Sequence, residues 1–227
     1  MEKIKKLFST TKGKVIGVVV ILIILGAVSG SGDKKASSDG SVKATTATVA
    51  SVDPTKLAAD KARLAELKAK FDYKYDEFEK KGWYVAKSQA VANTWDKEVL
   101  AVNVNNVGYA YLSDQYYGDD WIFHTRVEVK IGDAVYKSED IPSFDSNNSR
   151  HNSGGSVWES ISYTGDKDNG IMKAIAESGD TVVKVRFNGD EGVYDFTLSK
   201  RDQQAIKDSY ELSNLIKETG DTGTPQS

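Results

Sequence analysis

The sequence predicts an α+β domain, mainly antiparallel β in a sandwich or partly open barrel, with an N-terminal amphipathic helix, a short inserted helix and a C-terminal helix. Three observations carry this expectation. Apolar and polar residues alternate over 121–131 and again over 183–198, and turn dipeptides, Gly132-Asp133 and Asn188-Gly189, accompany them. That is the signature of hairpins wet on one face. Over 57–78 the apolar residues recur every seven positions instead, as on a helix. Ser199, with Asp202 three residues on, opens a further helical run in the manner of a capping box.

The elements follow in order. Residues 1–14 hold Lys3, Lys5, Lys6, Lys12 and Lys14 against Glu2 alone, and residues 15–28 read VIGVVVILIILGAV. Uncompensated lysines stay on the cytoplasmic side of a membrane, so the rest of the chain is expected outside. Small residues extend the tolerable stretch from Gly13 to Gly32, and about 20 residues at 1.5 Å each make about 30 Å of helix, a marginal span. Residues 15–32 are therefore read as a transmembrane signal anchor whose partner is the lipid bilayer. Ala27 and Ser29 also stand at signal-peptidase spacing, so a cleaved signal peptide and a secreted product are the alternative. Residues 33–53 are Ser/Thr/Ala/Lys-rich, a flexible spacer by composition.

The extracytoplasmic domain is expected over 54–218. Pro54 after Asp53 suits a capped helix start, and Leu57, Leu64, Phe71 and Phe78 place that helix over 54–81, with Gly82 ending it. A β-rich body over 83–198 follows, with strands at 83–91, 98–103, 107–112, 121–131, 157–163, 183–187 and 194–198. In the strand 121–131, Phe123, Thr125 and Val127 face the core and His124, Arg126 and Glu128 face water. Residues 169–178 form the inserted helix with Asp168 as its cap, and 199–217 form the C-terminal helix, packed over part of its length. Residues 219–227 are small and polar, a disordered tail.

Charge narrows the partners. The whole chain carries −3; without residues 1–14 it holds 25 basic and 32 acidic side chains, or −7. An acidic domain repels nucleic acid, so no nucleic-acid partner is expected. There is no cysteine, which removes disulfides, thiolate metal sites and cysteine nucleophiles. Zero cysteines in an exported chain suits a bacterial surface better than a eukaryotic ectodomain.

Catalytic signals are weak. His124 and His151 are the only histidines, and no GxSxG elbow exists. Asp166, Asp168 and Glu177 match three positions of a calcium loop, but Ile171 stands where that loop needs glycine. No metal, cofactor or catalytic residue is assigned, and the chain is read as non-enzymatic. The more suggestive features are two loops. Tyr116, Tyr117 and Trp121 surround Asp119 and Asp120, the mixture of aromatics and acids that glycan or peptide ligands contact. Residues 142–156, with Arg150 and His151, form a long aperiodic stretch, which is functional or mobile. The expectation is a membrane-tethered extracytoplasmic binding module for a protein, peptide or cell-wall polymer. Its alternatives are a carboxylate-dependent hydrolase and an envelope protein assembling through the helix 57–78.

Overall fold

The structure, a computed structural model, describes residues 53–90 and 94–222. The basic segment, the 15–32 span, the spacer up to residue 52 and the tail from 223 lie outside the described residues. Among those described, no helix is long and apolar enough to cross a membrane.

Helix α1 (Pro54–Lys68) starts where Asp53 accepts the Thr55 N–H at 2.8 Å, and Pro54 fills the first turn, where a missing N–H costs nothing. It buries Leu64 and Leu67, and Arg63 grips Glu211 near the C-terminus through Nε at 2.7 Å and Nη2 at 2.9 Å. The chain then leaves the helix, short of the residue 81 expected from the heptad. Phe71–Asp76 is strand β1, antiparallel to β2 (Lys81–Ala86), with Phe71 opposite Ala86 and Tyr73 opposite Tyr84. The segment FDYKYD satisfies two periods at once, since 71 and 75 fit a helix while 71, 73 and 75 fit a strand. Three aromatics in six residues and a neighbouring strand favour the second. Asp76 closes the hairpin by accepting the N–H groups of Phe78 and Glu79. Phe78, expected in the core stripe, stands fully exposed in that turn. Gly82 ends no helix; it lies inside β2, where a Cβ would collide with the Tyr73 ring. Strand β2 stops at Ala86 in a 3-10 turn (Lys87–Gln89), earlier than expected.

Strands β3 (Val99–Asn105), β4 (Ala110–Gly118), β5 (His124–Ile131), β6 (Ala134–Lys137), β7 (Asn148–Ser153) and β8 (Ser156–Tyr163) follow. Helix α2 (Ile171–Glu177), strands β9 (Val183–Gly189) and β10 (Val193–Thr197), and helix α3 (Lys200–Thr219) complete the chain. All pairings are antiparallel, in a six-stranded sheet ordered β1-β2-β3-β4-β8-β7 and a four-stranded sheet ordered β10-β9-β5-β6. The α+β class is therefore what the residues build. One core joins the inner faces of both sheets to the helices, with Val102, Leu112, Val129, Phe187, Ile206 and Leu212 among its buried members.

Further expectations change. The strand expected over 107–112 is β4, Ala110–Gly118, so Tyr116 and Tyr117 stand in a strand and not in a loop. Asn188 and Gly189 end β9 instead of forming the turn, since Asn188 pairs with Val193. His124 is fully buried instead of facing water. A bulge between His124 and Arg126 inserts one extra residue into β5, and such an insertion reverses the alternation on one side of it. Residues 142–156 are not one loop. They contain β7 and the turn into β8, where Gly154 and Gly155 have φ of 61° and 91°, the conformations a two-residue hairpin turn demands. Helix α3 is packed along its length, since Gln203, Ser209 and Ser213 are buried beside its apolar residues. Ser199 caps its start and Gly220, at φ 67°, its end.

Candidate functional site

Strict alternation in β3, β4 and β8 decides what the outer face of the six-stranded sheet presents. Leu100, Val102 and Val104 point into the core, leaving Val99, Ala101, Asn103 and Asn105 outward. Likewise Leu112, Asp114 and Tyr116 are inward, with Tyr111, Ser113, Gln115 and Tyr117 outward. In β8 the inward set is Val157, Glu159, Ile161 and Tyr163, so Trp158, Ser160 and Ser162 face out. These three strands direct no Lys, Arg, Asp or Glu side chain to that face. In β7 the outward residues are Ser149, His151 and Ser153. Charge resumes at β2 with Lys81, on the same face as Trp83, and continues on β1 with Asp72, Lys74 and Asp76, where Lys74 stands opposite Trp83.

Aromatic rings stand at both ends of this uncharged surface. At one end the register sets His151, Trp158 and Tyr117 side by side on β7, β8 and β4. The Trp158 centroid lies 5.3 Å from Tyr117, 5.7 Å from His151 and 5.4 Å from Trp95. Trp95 is half exposed and held in place, because Trp158 Nε1 donates to its carbonyl at 2.7 Å. Gln115 Nε2 adds bonds to the carbonyls of Thr94 (2.9 Å) and Lys97 (3.0 Å). At the other end Trp83 meets Tyr111 edge-on at 5.5 Å, with Tyr109 at 6.3 Å from Tyr111. Burial pushes the Tyr111 phenol above its ordinary value, with Tyr109 adding to the effect.

Beneath the face lies a sealed polar network. Asp114 accepts from His124 Nε2 (2.8 Å), the Tyr163 hydroxyl (2.8 Å) and the Ile161 N–H (3.1 Å). Glu159 accepts the backbone N–H groups of Ile122 (2.7 Å), Phe123 (3.1 Å) and His124 (2.6 Å), and Arg150 Nε at 3.1 Å. Arg150 also donates to the His124 carbonyl and covers the Phe123 ring at 5.3 Å. Together they fix the 119–123 segment, where Phe123 adopts φ 54°, a conformation a bulky side chain rarely takes without such support. Burial first, and then the neighbouring Asp114 charge, push the Tyr163 phenol well above its ordinary value. The side chains of Asp114, His124 and Glu159 have no solvent exposure, so this network positions the chain and offers nothing to a dissolved substrate.

The structure therefore separates the residues singled out in the sequence. Tyr117 and His151 come together through Trp158. Tyr116 turns inward, 7% exposed, its hydroxyl donating to the Asp120 carbonyl and its ring edge-on to Tyr194. Trp121 packs against the core, and Arg150 is consumed by Glu159. Asp119 and Asp120 remain exposed in the bend. Gly170, at φ 82°, and not Asp168 is the N-cap of α2, while Asp168 accepts the Met172 N–H at 2.9 Å from two residues upstream. Among the described residues no cluster of three His, Asp or Glu side chains gathers to hold a metal ion. Sequence reasoning missed Trp158, Trp83, Tyr111 and the outward serines. Their signal was the run of uncharged polar residues at alternate positions in VLAVNVN and SVWESISY. Comparison with protein-family models, with curated proteins and with solved structures gave no match.

Proposed function

We propose that this chain is a membrane-tethered, extracytoplasmic binding module without enzymatic activity, which captures a protein, peptide or cell-wall polymer on the outer face of its six-stranded sheet. The observation that supports it is compositional. More than a quarter of the chain is charged, at 28%, yet β3, β4 and β8 send only uncharged polar, aromatic and small apolar side chains outward. A solvated sheet face with no partner normally carries charge, and an uncharged aromatic one is suited to contact. The lysines of residues 1–14 and the uncharged stretch 15–32 supply the tether in this reading.

The interior carboxylates lend no support to a hydrolase, since Asp114 and Glu159 are closed to solvent. Assembly through 57–78 finds no continuous helix, because α1 ends at Lys68 and buries Leu64 and Leu67 in its own domain. The test is co-sedimentation of the full chain, in detergent, with purified cell walls. Ser160→Lys and Tyr117→Ala are expected to reduce capture with the melting temperature unchanged. Equal capture by both variants and the parent would remove the face from consideration.

A further inference from the structure

We infer that the ligand is an extended, uncharged glycan, lying along β4 from the Trp83–Tyr111 pair to Tyr117 and the half-exposed Trp95, which close over the buried Trp158; this rests on the binding reading above. Three observations on that face specify this chemistry. The first is charge: from β3 to β8 the surface offers no counter-ion, and a ligand with fixed charges would lose hydration there without a compensating partner. A neutral ligand loses far less.

The second is the spacing of the rings. Tyr111 and Tyr117 are six residues apart on the same face of β4, which at about 3.3 Å per residue separates the two aromatic ends by about 20 Å. Pyranose rings present C–H faces that stack on indole and phenol rings, and they recur along a chain. A linear oligosaccharide of several rings can thus engage both ends at once. A monosaccharide or disaccharide cannot.

The third is hydrogen bonding left unused between those ends. The hydroxyls of Ser149, Ser160 and Ser162, the Tyr111 hydroxyl and the Trp83 indole N–H make no hydrogen bond to protein among the described residues. Asn103 spends only its amide, donating to Ser113 Oγ at 2.9 Å. Sugar hydroxyls both donate and accept, matching groups of this type. Rigid aromatics joined to small adaptable polar residues are also the composition of surfaces that bind well at low entropic cost.

Other occupants fit less well. A second copy packed face to face would bury these serines against each other with little apolar area to compensate, as the aliphatic residues beside them are Val85, Val99 and Ala101. Protein interfaces are depleted in serine. A peptide captured as a β-strand adds to a sheet edge, which leaves the face unused.

The experiment is titration of the full chain, in a detergent without a sugar headgroup, with neutral hexasaccharides (cello-, xylo-, malto- and chito-oligomers). Oligogalacturonate serves as the charged control, and tryptophan fluorescence and calorimetry read the binding. At least one neutral hexamer should bind saturably, at least about tenfold tighter than its dimer, a gap of about 1.4 kcal/mol. Affinity should be insensitive to salt, since no ion pair forms. Tyr117→Ala and Tyr111→Ala should each weaken binding, and Ser160→Lys should abolish it while the melting temperature stays put. Should Trp158→Ala prove unstable, Ser160→Lys still decides the matter, because its side chain points to solvent.

Absence of saturable binding by every neutral hexamer overturns the inference, as does tighter binding of oligogalacturonate. If the glycans fail while Ser160→Lys still blocks capture of cell walls, the binding face stands and the glycan assignment falls. If Ser160→Lys keeps full affinity for a bound glycan, the face itself is wrong. Light scattering that shows dimers dissociated by Ser160→Lys would assign the surface to a second copy instead.

Discussion

Across the four-stranded sheet, Lys137, Glu128, Arg186 and Asp195 stand side by side on β6, β5, β9 and β10, so charge alternates in sign along the row. The corresponding row of the six-stranded sheet, on β7, β8, β4 and β3, reads Ser149, Ser160, Gln115 and Val99. In the first row the groups satisfy one another: Arg186 holds Asp195 through two bonds of 2.6 Å, and Lys137 and Arg126 reach Glu128 at 3.1 and 3.3 Å. In the second, the serine hydroxyls are left for water or a ligand. One chain thus makes one sheet face that is complete in solvent and one that is not. Exposed ion pairs add little to stability, so the charged row is better understood as keeping its face solvated. The uncharged row gains the molecule no solubility, and this is the feature that the proposed ligand would account for.

The largest expected effect lies beneath the uncharged face. Glu159→Ala strands three backbone N–H groups and leaves Arg150 without its carboxylate. Breaking such a buried pair should lower unfolding free energy by about 3–5 kcal/mol in urea titrations, and the 119–123 segment should lose its amide protection. Next, charge can be moved between the sheets. Ser160→Lys should leave stability within about 0.5 kcal/mol and eliminate ligand capture, whereas Arg186→Ala should barely shift the melting temperature and leave capture intact. A reversal of those two outcomes would place the functional surface on the four-stranded sheet.

A smaller effect concerns acid. The Arg186 hydrogen bonds hold the Asp195 carboxyl below its ordinary value. For Glu128, burial pushes the value up, but Lys137 and Arg126 outweigh it and the net direction is down. Carboxyls lowered in the folded state contribute stability above their unfolded values, about 3.9 for Asp and 4.3 for Glu. They lose it as pH falls through the folded values. Stability should therefore decline on acidification below about pH 4. The double variant Glu128→Gln/Asp195→Asn should flatten part of that slope in pH-resolved melting curves. Last and smallest, salt should weaken the ion pairs of the four-stranded sheet and leave ligand capture unmoved, as comparison of both quantities at about 0.05 and 0.5 M salt would show.

Much of the fold is legible in residue order. The hairpin turning at Gly132-Asp133, the alternation of β9 and β10, the cap at Ser199 and the inserted helix follow from local chemistry, although the chain turns at 190–192 and not at the Asn188-Gly189 dipeptide. What misleads has a nameable cause in each case. The FDYKYD segment obeys two periods, and only the partner strand β2 chooses between them. His124 moves from the wet side to the core because one bulged residue reverses the alternation, and a bulge leaves no mark that counting apolar residues detects. Strand β7 reads as a loop because NSRHNS has no apolar alternation. It forms through the two glycines of its turn and the pairing offered by β8. The site was visible only in part for the same reason. Tyr117 and His151 were singled out, but the residue that joins them, Trp158, comes from a third strand. The uncharged face itself is a property of a sheet, which requires knowing which strands are neighbours.

One comparison tests the central idea most directly: binding of neutral hexasaccharides, by calorimetry, to the parent full chain and to Ser160→Lys at matched melting temperature. A saturable isotherm for the parent that vanishes in the variant is the result expected. Identical isotherms for the two proteins, or none for the parent, would contradict it.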